Sequence, residues 1–435
     1  MIRAIGVGRA TAMVIGTIIG ASIFVQPSAV SASVPSLAGI LLVWAAAGAL
    51  TLIGALITAE LSSAYPRSGG VYVFLREAYS PAVGYLWAWA MFWSMHSGII
   101  AAIATVFARY VGHFVPLGDG GMRITAVASI VVLSAVNYLG VRQGSALQTF
   151  FTIVKLAVVV LIVVLGVTHV IGHSMPASGH PASAFTAGGA IAAMIAGLFA
   201  YGGWHMVSYA ADETHDPART IPRALMAGTL IVTLAYMAVN ASYVAVLPIA
   251  EVSSSNRVAA DFADAIVGGG GANALSALVI ISTLGAMTGI ILSGPRVYMA
   301  MARDGLLFRW VAALHPRYST PHRAIAFQAL WSSVLVLTGT YRTLFTRVVY
   351  TEWIFFALMA ASLFVLRRRA DYAPAYRVPA YALLSGIFVV CSLTIVGYEI
   401  VSQPRESAWG LGLVLAGLPV YALWQRRDRT PIPSS

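Results

Sequence analysis

The chain has 435 residues, 59% of them hydrophobic and only 9% charged, with a mean hydropathy of +0.83. A soluble domain carries about a quarter charged residues, so this balance excludes a soluble protein and predicts many membrane-spanning helices. The formal net charge of +11 comes from arginines lying between apolar runs, which marks topology rather than a nucleic-acid surface.

Arg3 and Arg9 precede the first apolar run, and no small-residue cleavage site closes it, so it reads as a first span rather than a removed signal peptide. Twelve spans are expected, over 10–32, 38–61, 82–108, 124–140, 147–170, 188–210, 222–247, 273–300, 323–340, 347–366, 380–402 and 408–424. With the N-terminus inside, nineteen arginines fall in cytoplasmic segments, among them Arg67, Arg76, Arg303 and Arg367–Arg369. Six fall outside, including Arg109, Arg123 and Arg257. That bias predicts a multi-pass cell-membrane protein with both termini cytoplasmic.

Several connections carry information. Tyr65–Tyr79 is a Gly-containing cytoplasmic link with aromatic and Arg anchors, and Pro222 is expected to open span 7 at its first turn. Ser293–Arg323 reads as an Arg-rich exit from span 8 with snorkelling arginines and an amphipathic piece near Leu306–Leu314. Pro248–Ala272 is the longest outer loop and has room for short helices acting as a lid, whereas His169, His173 and His180 read as solvated loop. The lone cysteine, Cys391, excludes an intrachain disulfide or a cysteine-based metal site. Neither a phosphate loop nor a His/Cys/acid cluster with metal spacing is present, so no cofactor is expected.

Two stretches stand apart. Gly16–Phe24 (GTIIGASIF) and Gly197–Trp204 (GLFAYGGW) each place clustered glycines in mid-span. Non-helical backbone survives at that depth only where it lines a protein cavity, and two interrupted spans at matching positions of two halves mark a transporter's midplane site. Five spans separate the breaks in repeat terms, and an odd number inverts the second copy. The reading is an all-α polytopic membrane protein. Its transport core covers 1–367 (spans 1–5 and 6–10), and spans 11–12 with a cytoplasmic tail cover 368–435.

GTIIGASIFVQP, AELSSAYPRSGGVYVFLREAY, GLFAYGGW with the acid/Pro loop after it, and ILSGPRVYMAMARDGLL together resemble the amino acid–polyamine–organocation permeases, most closely their L-type amino acid transporter branch. The resemblance covers nearly the whole chain in order. It implies the LeuT-type five-plus-five inverted repeat with broken spans 1 and 6. It also implies that the main chain of Ile19, Gly20, Ala21 and Ser22 takes a substrate carboxylate, and that carbonyls around Phe199 and Ala200, with Ile19, take the ammonium. Phe199 would gate the site, with Gly202 and Gly203 leaving room for the substrate's side chain. The physics agrees: a half-helix N-terminus offers free N–H groups to an anion and a half-helix C-terminus offers free carbonyls to a cation. The chain departs from the family in having Gly20-Ala21-Ser22 where Gly-Ser-Gly is usual, and His205 where Asn usually follows the Trp.

Lys155, the only lysine, lies eight residues into span 5, where an ammonium must be paired, be neutralised, or snorkel. By resemblance it fills the place of a sodium ion and bridges the broken first span to span 8, with Ser282 or Thr283 as partner. It is also the expected carrier if a proton is coupled. Glu60, Glu352 and Glu399 are candidate proton relays, weighed against a cytoplasmic contact for Glu60 and an outer pairing with Arg347 for Glu352. His96 reads as a hydrogen-bonded helix contact. The expected function is sodium-independent transport of neutral L-amino acids by exchange or facilitated alternating access. Proton-coupled transport of amino acids or cationic amines is the alternative, disfavoured for basic substrates because no acid lies at either break. An intramembrane enzyme lacks a nucleophile with a base at motif spacing, and a non-transporting sensor stays open. The expected partners are an amino acid substrate and the lipid bilayer, without nucleic acid. Heteromeric relatives attach a subunit through a cysteine between spans 3 and 4; Gly112–Arg123 has none, so no disulfide-linked subunit is expected.

Overall fold

The computed structural model describes residues 3–172, 186–255, 257–268, 270–338 and 341–428; His173 and His180 lie outside them. Span 1 is α1 (Val7–Ile18), a short 3-10 turn at Ala21–Phe24, and α2 (Gln26–Ser33). α3 (Leu37–Ala64) is span 2, opened by Ser36, whose hydroxyl accepts from the Gly39 N–H. The cytoplasm-assigned link forms α4 (Val71–Ala78). Span 3 is α5 (Pro81–Ala90), a π turn at Met91–Met95, and α6 (His96–Phe114). α7 (Asp119–Tyr138) and α8 (Val141–Gly172) complete the first half. Span 6 is α9 (Ala187–Ala200) followed by a tight helical segment at Trp204–Glu213. α10 (Pro217–Val246), the two short helices α11 (Ile249–Ser254) and α12 (Val258–Val267), α13 (Gly271–Arg303), α14 (His322–Thr338) and α15 (Tyr341–Leu366) complete the second half. α16 (Tyr381–Ser402), α17 (Pro404–Leu415) and α18 (Gly417–Asp428) form spans 11 and 12.

Every expected span is therefore helical. Among the described residues, nine helical runs are long and apolar enough to cross a bilayer; the other three spans are the divided first and the ninth and tenth. α1 sits inside, packed by α8, α10 and α13, whereas α8, α16 and α18 turn Val160, Val164, Leu383, Val390 and Leu423 outward where lipid would lie. Both broken spans thus run through protein, the one setting in which unpaired backbone is tolerated at that depth. α11 and α12 do form in the 248–272 loop, with α11 resting on α2.

The structure corrects three expectations. Pro217, not Pro222, opens span 7, and Pro222 falls inside the second turn. A first-turn proline wastes no N–H, so the rule holds for the earlier proline. α8 starts at Val141, which puts Lys155 fourteen residues in, about 21 Å at the standard rise and too deep to snorkel. Arg296 does not snorkel either: it is 1% exposed and grips Glu213 at 2.8 and 3.1 Å, with a further bond to the Leu292 carbonyl.

That pair belongs to a seal on the side of the N-terminus. The Glu213 carbonyl accepts the Ala4 and Ile5 N–H groups, Asp212 accepts the Ser68 N–H, and Asp304 takes Arg76 and the Tyr72 hydroxyl. Nearby, Glu60 is buried and held by Arg367 at 2.8 and 2.5 Å, by the Val378 N–H at 2.6 Å and by the Tyr372 hydroxyl at 3.2 Å. Glu60 is thus an inter-helix contact, and its hydrogen bonds hold the Arg367 guanidinium above its usual pKa. Removing one partner of a buried pair strands a charge at a cost of about 3–5 kcal/mol, whereas replacing both with apolar groups is often neutral. Glu213→Gln should therefore lower the melting temperature in detergent sharply, and Glu213→Leu with Arg296→Met should recover most of the loss. An unchanged melting curve for Glu213→Gln would show that the pair does not hold this side closed.

Candidate substrate site

The first break opens because α1 stops at Ile18: Gly20 is extended, and the next turn begins only at Ala21. The N–H groups of Ala21 and Ser22 open that turn and have no partner within it. The second break opens at Tyr201, and Gly203 has φ +95°, a left-handed conformation that suits glycine. A Cβ there would also stand 3.2 Å from the Thr17 carbonyl.

The breaks face each other and are tied together. The Thr17 hydroxyl lies 3.2 Å from the Gly203 carbonyl. The Tyr236 hydroxyl on α10 lies 3.0 Å from both the Ile18 carbonyl at the end of α1 and the Ala200 carbonyl at the end of α9. Lys155 Nζ donates to the Gly16 carbonyl at 2.8 Å, and its stem lies across Gly285 of α13, where a Cβ would sit 2.8 Å from Cε. Carbonyls orphaned by the breaks thus receive side-chain donors. Lys155 does reach from span 5 to the first break and touches span 8, but not through a hydroxyl. Ser282 Oγ has no hydrogen-bond partner, and Thr283 turns back to the Ile280 carbonyl.

A small cavity lies between the breaks, with room of about 30 Å3, enough for roughly two waters. Gly20 and Ser22 line it from the first break, and Phe199 and Gly202 from the second. Thr17, Ile18, Ile99, Ile103, Trp204, Ile290, Glu352, Trp353 and Phe356 contribute as well. Ile19, Ala200 and His205 are buried behind this wall, and Lys155 and Ser282 stand away from it. The Phe199 carbonyl already accepts the Gly202 N–H at 3.0 Å and that of Ala200 accepts Tyr236; a carbonyl oxygen has two lone pairs and can take a second donor. Gly203 makes room for Thr17 of α1 rather than for a ligand. Beyond α2, on the side away from the N-terminus, a wider vestibule of about 690 Å3 is lined by Gln26, Arg109, Tyr110, Arg257 and Glu399.

Two expectations about titratable residues change here. α15 begins at Tyr341, six residues earlier than expected, so Glu352 lies in mid-helix and turns into the cavity instead of outward. An acid therefore does line the site, 3.8 Å from His205 Nε2. His96 is buried against the Tyr209 ring with neither ring nitrogen hydrogen-bonded. No group of three or more potential metal ligands occurs among the described residues. Thr17 and Tyr236 escape a reading of the sequence, because their only signal there is a hydroxyl in an apolar run.

Paired mid-membrane breaks around a small cavity, with a vestibule on one side and a polar seal on the other, define an alternating-access carrier. The chain belongs to the amino acid permease family, whose model matches residues 5–418. It is 31% identical over 429 residues to the serine/threonine exchanger SteT of Bacillus subtilis (98% of this chain, 97% of the relative). It is 30% identical over 445 residues to the human b(0,+)-type amino acid transporter 1 (99% and 91%). It is 30% identical over 442 residues to the rat large neutral amino acids transporter small subunit 2 (98% and 82%). The fold is thus the twelve-span LeuT type, and the family transports rather than catalyses.

The cavity wall makes a graded prediction at Gly20. Its backbone is extended, and a Cβ would meet nothing nearer than the Ala286 methyl at 3.5 Å, an ordinary contact. Gly20→Ala should fold and retain uptake, whereas Gly20→Leu should fold and abolish it. Full uptake by the leucine variant in proteoliposomes would remove the first break from the site.

Proposed function

We propose that this protein carries neutral L-amino acids across the cell membrane without sodium, by exchange or facilitated alternating access. The observation that carries the reading is the cavity faced by two main-chain breaks. One break offers N–H groups at Gly20–Ser22 for a carboxylate; the other offers carbonyls at Phe199–Ala200, with Ile19, for an ammonium. A zwitterion entering low dielectric needs both, because its charges are prohibitive unpaired. The apolar wall of Ile99, Ile103, Ile290 and Phe356 suits a neutral side chain, with Phe199 as its gate and Gly202 beneath it. Exchange is what the name of SteT describes, and neutral amino acids are what that of the rat relative describes.

Lys155 replaces sodium in this reading. Its ammonium meets a carbonyl of the first break, and its stem ties that break to α13 at Gly285, one turn from Ser282 in the chain. The transport core spans 1–367 and the last two spans are an addition at 368–435; both termini are cytoplasmic, and no subunit is attached by a disulfide. Uptake should be indifferent to replacing sodium by choline. Lys155→Ala leaves the Gly16 carbonyl without its donor at a cost of about 1–3 kcal/mol and should slow exchange severalfold. A sodium requirement, or an alanine variant as fast as the parent, would sink the tether.

Orientation has its own test. In a Cys391→Ala background, cysteine at Gly118 should react with an impermeant thiol reagent applied to whole cells, and cysteine at Ala370 should not. The reverse pattern would invert the topology.

A further inference from the structure

We propose that His205 and Glu352 form a proton-binding site at the wall of the substrate cavity, and that net uptake of an amino acid carries one proton with it. The proposal rests on the cavity being the amino acid site.

Glu352 lines the cavity with its side chain 6% exposed, and its Oε1 accepts no hydrogen bond. The nearest titratable atom is His205 Nε2 at 3.8 Å, on a fully buried ring whose two nitrogens also have no hydrogen-bond partner. Aromatic rings enclose the imidazole: Phe356 at 4.8 Å, Trp204 at 5.3 Å, Tyr209 at 5.4 Å and Trp87 at 6.0 Å between centroids. The titratable groups that face the pair are Tyr209, on the same segment as His205, and His96, on α6. Tyr298 of α13 lies behind Tyr209. Nearby buried cations are already engaged, Arg296 by Glu213 and Lys155 by the Gly16 carbonyl. Among the described residues, no other cation pairs with this carboxylate.

A carboxylate beside a neutral imidazole is then a buried net charge whose Oε1 has no hydrogen-bond donor, a state that burial strongly disfavours. One added proton makes the pair neutral, as a carboxylic acid facing imidazole or as imidazolium facing carboxylate. The occupant of the cavity selects between these states. Water in the empty site solvates the anion, whereas a substrate's apolar side chain displaces that water and requires the proton. Binding of substrate and of proton therefore favour each other, and by linkage a lower pH tightens substrate binding by the same factor. The sign follows: protons are taken up on loading, so apparent affinity falls as pH rises. Exchange moves a proton with each amino acid in both directions, and only net uptake leaves a proton inside. The pair also spans a seam, His205 on the broken sixth span and Glu352 on α15. From it Tyr209 and His96 lead toward the sealed side, where the Tyr209 carbonyl accepts the Gly69 N–H. Lys155 is not on the cavity wall, so the proton site moves from it to this pair.

The test uses purified protein in sodium-free liposomes containing a trapped fluorescent pH dye. Counterflow of labelled amino acids is measured first, then uptake into liposomes empty of amino acid. Net uptake of serine or leucine should acidify the lumen in step with the label, one proton per amino acid. The apparent affinity should weaken by up to about tenfold per pH unit where the pair is unprotonated. Glu352→Gln should lose both the dye signal and the pH dependence, and His205→Gln provides a second variant. Intact counterflow with net uptake but no acidification in the native protein overturns the pair alone, whatever the variants do. So does a dye signal that survives Glu352→Gln, or preferred transport of arginine or lysine without proton movement, which would make Glu352 a partner for a cationic side chain. Absence of counterflow for every amino acid overturns the amino acid reading and the pair with it.

Discussion

Interrupting a helix inside a membrane frees backbone carbonyls that no water can reach, and the structure depends on how these are met. At the first break Gly16 is met by Lys155 and Ile18 by Tyr236; at the second, Ala200 is met by the same tyrosine and Gly203 by Thr17. The donors come from α8, α10 and α1 itself, so neither break is stable apart from its neighbours. This also fixes what the breaks can do. Carbonyls that have a donor hold the halves of the site together, and the N–H groups that open the turn after Gly20 have no partner within it.

The same accounting explains why Tyr236 and Lys155 differ in kind. A hydroxyl supplies one neutral donor and can face two carbonyls at once. An ammonium brings charge, which polarises the carbonyl it meets and strengthens that hydrogen bond. Among the described residues that line the cavity, Glu352 is the ionisable one.

The two faces of the carrier are closed by different means. Toward the N-terminus the closure is polar, built from Arg296–Glu213 and the Asp212 and Asp304 contacts, so it is directional. On the other face lies a vestibule of about 690 Å3, and the small cavity itself is walled by aromatic and aliphatic side chains around Phe199. Polar seals break when their partners are hydrated, and apolar gates open when their contacts are replaced by substrate. A carrier that alternates needs one face to yield while the other holds.

The sequence by itself determined the membrane class, the twelve spans and the two breaks, because long apolar runs and clustered glycines are properties of contiguous residues. It also singled out Lys155, a lone cation in an apolar run. It could not place the ends of helices to within a turn or two, and depth hangs on those ends: earlier starts for α8 and α15 took Lys155 out of snorkelling range and carried Glu352 into the cavity. Only the tertiary structure decided that Arg296 meets Glu213, that Tyr236 serves both breaks and that His205 faces Glu352. These partners lie on different helices far apart in the chain, where no spacing rule connects them. Burial then turns each such meeting from incidental to decisive, since a polar group in this interior must find a partner or lose its charge.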